Sequence, residues 1–490
     1  MRARRFTLGV ITGYCTIIIN VLYTIFSVRI ALIFLGKEQF GLWALALQVS
    51  GYMSIMDLGM TSALSRFIAD HKDDVNGGQY GAMLLTGGLS FICQGIIIAI
   101  LGCIFAFYST QIFSIPKIFE TDFRNVLTIL MLVTGISVAL RGVGAPIWAF
   151  QRLDINNVIS ALVLITSFLM LWVGFKAGWG IYSLAYAGIP GTIISPLLVS
   201  IICYRSGYYP RKGNWNKPQW TLFIKILGFG KDVLLLSVGS QMVNATQVII
   251  LSKFVGLDAA ASFSICTKFY NMGQQFVGKI LESAAPVLTE IFVQGDLSRF
   301  TERFWNIVAI TSFIATIGGA AIVTQNQLLV SLWTSGVIKW SLMLDALLAT
   351  LLVITSISRC FTGIFGIIGN ISPIRYIYFI EGILFILLAI PAARYYGVIG
   401  LLLTSVLVHI TTTLLFSIKI SSKIINSMKV RKQIANSLII IAFTTLATLV
   451  ISKLISKSGT CILFSVCIII LASISSWRVL LTQKNDSRII

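Results

Sequence analysis

Charge is scarce in this sequence of 490 residues. Only 11% are Asp, Glu, Lys or Arg, and acids are the scarcer kind, 17 against 37 basic residues, for a formal net charge of +20. A soluble domain carries about 25% charged residues. A chain with less than half that share cannot coat itself in water, and with only nine prolines it does not read as disordered either. The two histidines, at 71 and 409, are far apart in sequence, and the eight cysteines form no CxxC pair. The cysteines lie in or beside apolar runs and read as small packing residues, so no metal site and no cofactor is expected. No Walker A motif or other nucleotide-binding loop occurs, which excludes direct drive by ATP.

What fills the sequence is apolar, 57% of it. A window of about 19 residues finds fourteen apolar stretches, centred on 7–30, 40–63, 80–107, 123–150, 158–176, 181–204, 232–254, 259–291, 304–323, 342–368, 377–393, 401–418, 438–454 and 460–480. Lipid offers the backbone no hydrogen-bond partner, so stretches that cross it are helices. They lack the alternation of a barrel strand. The expected fold is an all-α polytopic membrane protein of about 14 transmembrane helices. The basic start, Met1-Arg2-Ala3-Arg4-Arg5, precedes a run too long for a signal peptide and reads as a retained first span.

An even number of spans puts both termini on one side. That side carries 25 Lys and Arg, including Arg211, Lys212, Lys217, Lys429, Arg431 and Lys432, against 10 on the other. The positive-inside rule then places both termini in the cytoplasm. The excess of positive charge is this topological bias, with basic residues in short loops, and not a nucleic-acid surface.

Two passages repeat. Phe34-Leu35-Gly36 followed by Gly41 matches Phe254-Val255-Gly256 followed by Ala261, at an offset of 220. Ile136–Arg141 matches Ile354–Arg359 at an offset of 218. The repeat predicts two pseudo-symmetric six-helix lobes of like orientation, a layout found in alternating-access transporters. The expected division is an N-lobe at 1–215, a C-lobe at 216–428 and two appended helices at 429–490. Trp220, Phe223, Ile224 and Leu227 have the spacing of an interfacial amphipathic helix over 218–230 that precedes the C-lobe.

Gly36-Lys37-Glu38-Gln39-Phe40-Gly41-Leu42-Trp43, followed by Asp57-Leu58-Gly59-Met60, Ala63-Leu64 and Arg66, resembles the signature around the second helix of the polysaccharide-transporter family. These are the Wzx-type flippases of the multidrug/oligosaccharidyl-lipid/polysaccharide (MOP) exporter superfamily. Length, span count, two lobes and two extra helices agree with that family along the whole chain. The resemblance implies a bacterial inner-membrane flippase of undecaprenyl-pyrophosphate-linked oligosaccharide, such as an O-antigen repeat unit. It implies contact with membrane lipids, a monomeric state, and a polysaccharide polymerase and a chain-length regulator as partners.

Such a substrate carries a doubly anionic head group, which is prohibitively costly to expose to hydrocarbon. Cations inside the spans are therefore the candidates to bind it. The best stripe is Ser264, Lys268, Asn271, Gln275, Lys279 and Glu282, whose spacing keeps one helix face. Lysine facing lipid costs about 2.5–3.5 kcal/mol. Lys279 and Glu282 can equally be an internal i,i+3 pair. Arg141 and Arg359 occupy equivalent repeat positions, and guanidinium can grip two oxygens of a pyrophosphate; each can instead snorkel to the cytoplasmic interface. Arg66 lies on the face of span 2 equivalent to the span 8 stripe. Asn20 belongs to a neutral stripe with Thr12, Thr16, Thr24 and Ser27, suited to sugar hydroxyls or to helix packing, and Arg29 stands roughly opposite. Proton or sodium coupling would need a buried acid; Asp57, Glu282 and Asp345 are the candidates, with Asp232 and Glu381 also within spans.

A multidrug or peptidoglycan-precursor exporter of the same superfamily is an alternative. A membrane-embedded O-antigen polymerase or ligase, an enzyme, would need acid, base or arginine clusters in sizeable outer loops. The segments 108–122 and 325–340 are short and nearly free of paired catalytic groups.

Overall fold

Apolar runs in this chain fold as helices because a helix bonds every interior backbone group within itself. The computed structural model describes residues 2–53, 56, 59–150, 152–368, 372–421 and 439, and among these there is no strand. The helices are α1 (Arg2–Met53), α2 (Met60–Asp70), α3 (Gln79–Ile112), α4 (Glu120–Ala139), α5 (Ala145–Ala149), α6 (Leu153–Lys176), α7 (Tyr182–Tyr186) and α8 (Ile189–Arg205). After the polar linker come α9 (Trp220–Asn244), α10 (Thr246–Phe254), α11 (Leu257–Cys266), α12 (Lys268–Val293), α13 (Leu297–Trp333), α14 (Leu342–Ile368) and α15 (Ser372–His409). A π-helical turn over Ile410–Leu414 leads into α16 (Leu415–Ser421).

The first twelve expected spans all lie on these helices. Among the described residues nine helical segments are long and apolar enough to cross a membrane, two of them each holding a pair of spans joined at a glycine. Spans 13 and 14 lie outside the described residues, so the count of fourteen rests on the sequence. The segment expected as a separate interfacial helix is the start of α9, which runs on to Asn244 as one helix. Span 2 is interrupted at Gly59, which is in the left-handed region at φ 70° just before α2 begins. Span 4 is also divided, α4 passing through a 3₁₀ turn at Arg141–Gly144 into α5.

The chain forms two compact units, Met1–Ala261 and Ser262–Ile490. In the first, α3 and α4 touch backbone to backbone. A Cβ on Gly95 would lie 2.4 Å from the Gly135 carbonyl oxygen, and one on Gly135 2.7 Å from that of Gly95. Helices in lipid associate through such small-residue contacts, since apolar burial gains little there. The repeated Phe-x-Gly motifs make matching turns, with Gly36 at φ 73° and Gly256 at φ 125°, a region open to glycine because it has no Cβ. The two turns meet: Lys37 Nζ pairs with Asp258 Oδ2 at 3.2 Å, and a Cβ on Gly41 would lie 2.2 Å from the Leu257 carbonyl oxygen.

In the second unit α12, α13 and α14 enclose a core of Phe300, Phe304, Val308, Ile354, Ile357 and Phe361, all fully buried. Phe304 and Phe361 meet edge to face, 5.4 Å between ring centres, a favoured aromatic geometry.

Candidate functional site

Helix α12 is long enough to cross a membrane, 26 residues or about 39 Å, yet it is not among the apolar segments that qualify. Its composition is the reason. Lys268, Asn271, Gln274, Gln275, Lys279, Glu282 and Glu290 are all on it. Asn271, Gln275 and Glu282 are exposed, whereas Lys268 is half-buried at the first turn. Among the described residues Lys268 has no ion-pair partner. Lys279 Nζ lies 2.8 Å from Glu282 Oε2, so the i,i+3 pair read from the sequence forms, and Glu282 is spoken for by a lysine.

Arg359 stands beside this stripe. It projects from α14 across Gly278 of α12, where a Cβ would come within 2.6 Å of its Nη1. The same two helix faces meet one turn earlier, where the Gln274 amide donates to Thr355 Oγ1, and one turn later, where a Cβ on Gly363 would meet Leu281 Cδ2 at 2.7 Å. Glycine at 278 makes the space for the guanidinium. Arg359 itself is exposed. Within the second unit, then, the structure brings Lys268, Asn271, Gln275, Lys279, Glu282 and Arg359 to one pair of helices.

The first unit holds the other candidates. Arg141 is in the 3₁₀ turn, half-buried, beside Gly142, whose position against Gly88 of α3 leaves no room for a Cβ (2.9 Å). Its repeat partner Arg359 is in an unbroken helix, so the two arginines share a sequence position without sharing a local conformation. Arg66 is exposed on α2, Arg29 exposed on α1, and Asn20 half-buried on α1. The neutral stripe of α1 is used for packing at its start: Thr16 donates to the Asn157 carbonyl at 3.0 Å, and Asn157 Nδ2 donates to Thr12 at 3.1 Å. Asp57 lies outside the described residues.

Asp345 is fully buried and takes hydrogen bonds from Asn326 Nδ2 and, at 2.9 Å, from Trp340 Nε1. Its second oxygen, Oδ2, is buried without a partner, as is Asn326 Oδ1. No cation pairs with it among the described residues.

The sequence reading missed one cluster. His409 Nδ1 lies 2.7 Å from Glu381 Oε1, Thr413 donates to Glu381 Oε2, and Ser358 Oγ is 2.7 Å from His409 Nε2. All four residues are buried. The available signal was that Glu381 and His409 are the only acid and the only histidine of spans 11 and 12, which fold against each other at Gly397 (φ 58°).

Comparison with known proteins places this architecture. Residues 9–292, more than half of the chain, match the family described as polysaccharide biosynthesis protein. The chain belongs to that family. A membrane protein of Bacillus subtilis, EpsK, itself uncharacterised, is 21% identical over 308 residues, which are 60% of this chain and 58% of that protein's length. In fold, the chain is similar to an inward-facing multidrug resistance MATE transporter of the MOP superfamily, with TM-score 0.69, 15% identity, and coverage of 82% of this chain and 94% of that one. It is equally similar to the lipid II flippase MurJ, with TM-score 0.69, 14% identity, and coverage of 97% and 99%. A MOP transporter of Pyrococcus furiosus gives TM-score 0.60 at 14% identity, over 85% and 95%. The family member is thus an all-α, multi-pass membrane protein whose fold is similar to those of these transporters.

Proposed function

We propose that this chain flips undecaprenyl-pyrophosphate-linked oligosaccharide, such as an O-antigen repeat unit, from the cytoplasmic to the outer leaflet of the bacterial inner membrane by alternating access. Both termini are in the cytoplasm, as the bias of basic loops requires. The pyrophosphate binds cations in a wet cavity lined by α12, while the polyprenyl tail stays in lipid. The polymerase and chain-length regulator of the pathway receive the product, and an ion gradient supplies the drive.

One observation supports this reading: Lys268, Asn271 and Gln275 share the helix α12, and Lys268 has no carboxylate to neutralise it among the described residues. An unpaired cation within a membrane-spanning segment is costly without a use. At an effective dielectric of about 20, one unit charge attracts an opposite charge 4 Å away by about 4 kcal/mol. A cationic drug would be repelled by the same lysine. The similar fold of a lipid II flippase supports a lipid-linked anion as cargo. Deleting the gene tests the reading: a lipid-linked oligosaccharide should accumulate on the cytoplasmic leaflet and surface polysaccharide should be lost. Normal surface polysaccharide after deletion would refute it.

A further inference from the structure

The Glu381–His409 contact lies deep in the second unit. Glu381 is nine residues beyond Ser372, at the start of α15, about 14 Å along the helix. His409 sits where α15 gives way to the π turn, and Thr413 is inside that turn. Single π turns within α-helices are uncommon and occur frequently at functional sites.

Ser358 Oγ lies 3.0 Å from the Thr355 carbonyl oxygen and 2.7 Å from His409 Nε2, and His409 Nδ1 lies 2.7 Å from Glu381 Oε1. One proton between Nδ1 and Oε1 completes the last contact. With a second proton on the imidazole, Nε2 donates to Ser358 Oγ and the hydroxyl donates to the Thr355 carbonyl; without it, the hydroxyl donates to Nε2. The cluster therefore holds the pair with or without that second proton by turning one hydroxyl.

We propose that Glu381 and His409 form the proton-binding site that couples transport to the proton gradient, one proton being taken up and released by the imidazole–carboxyl pair. The proposal rests on the transport reading above and adds the coupling ion and its place. Other ionisable groups around the dyad come from each packed helix: Arg359 from α14, Tyr378 from α15 and Tyr270 from α12, the two tyrosines being within electrostatic range of both Arg359 and Glu381. Ser358 adjoins Arg359 in the chain, so the dyad is one residue removed from the exposed cation beside the α12 stripe.

The chain has only two histidines, which makes the test clean. His71, at the end of α2, is replaced in a His71→Gln protein, so that ¹⁵N-histidine labelling reports on His409 alone. In lipid nanodiscs, magic-angle-spinning NMR should show the ring nitrogens changing protonation as the pH of the sample is varied. Glu381→Gln should abolish that change, and Thr413→Val, which removes a donor to the carboxylate, should move its midpoint. Ring nitrogens unchanged over the range, or a response identical in both variants, would overturn the proposal and leave the cluster a fixed hydrogen-bond network. Surface polysaccharide, measured in the same variants, reports on transport separately. Normal export with a silent His409 would remove the proton site and keep the flippase.

Discussion

The guanidinium of Arg359 lies over Gly278, in space that any side chain at 278 would take. This pairs an arginine on α14 with the polar face of α12 and makes the position of one cation depend on the absence of a Cβ on a neighbouring helix. The end of an arginine is flexible, so one methyl group can be met by a small shift, whereas a branched side chain cannot.

Gly278→Ala should therefore retain most surface-polysaccharide export, and Gly278→Leu should lose it to the same extent as Arg359→Ala. Because the two changes act on one interaction, the double variant should be no worse than either single one. A complementation assay at matched protein level measures this. Additive losses would show that Gly278 and Arg359 act independently.

Asp345 should behave as a buried acceptor. Asp345→Asn keeps an oxygen for Asn326 and Trp340 and should leave the thermal unfolding of the purified protein nearly unchanged. Asp345→Ala leaves both donors unpaired in the core, at a cost of about 1–3 kcal/mol, and should lower the melting temperature clearly. A melting temperature unaffected by the alanine would contradict the hydrogen-bonded geometry. Export lost in Asp345→Asn at full stability would assign this carboxylate a part in coupling.

Topology can be checked from outside the cell. In a cysteine-free background, a Cys at Ser114, an exposed turn residue, should react with a membrane-impermeant reagent. A Cys at Lys212 should react only after permeabilisation. Labelling of position 212 in intact cells would reverse the orientation.

Much of the helical framework was legible because long apolar runs in lipid have only one way to satisfy their backbones. The polar residues of α12 were legible as neighbours too, since a spacing of three and four keeps Lys268, Asn271, Gln275, Lys279 and Glu282 on one side of one helix. The breaks in spans 2 and 4 were not. Gly59 and the residues after Ala139 leave hydropathy high, and only backbone geometry reveals the left-handed glycine and the 3₁₀ turn. The repeat correctly paired Gly36 with Gly256, because both turns need a positive φ. It paired Arg141 with Arg359 as well, and there the local structures differ. The Glu381–His409 contact escaped because their pairing is set by how two spans fold back at Gly397, which hydropathy does not encode.

The central claim is that Lys268 holds the anionic head group of a lipid-linked sugar. Its most direct test is translocation of a fluorescent polyprenyl-pyrophosphate oligosaccharide in proteoliposomes containing the purified protein. The wild type should move it between leaflets. Lys268→Arg should retain most of the rate, and Lys268→Gln, polar but uncharged, should lose it by tenfold or more, about 1.4 kcal/mol of binding. Equal rates for Lys268→Gln and the wild type would mean that the lysine does not hold the head group.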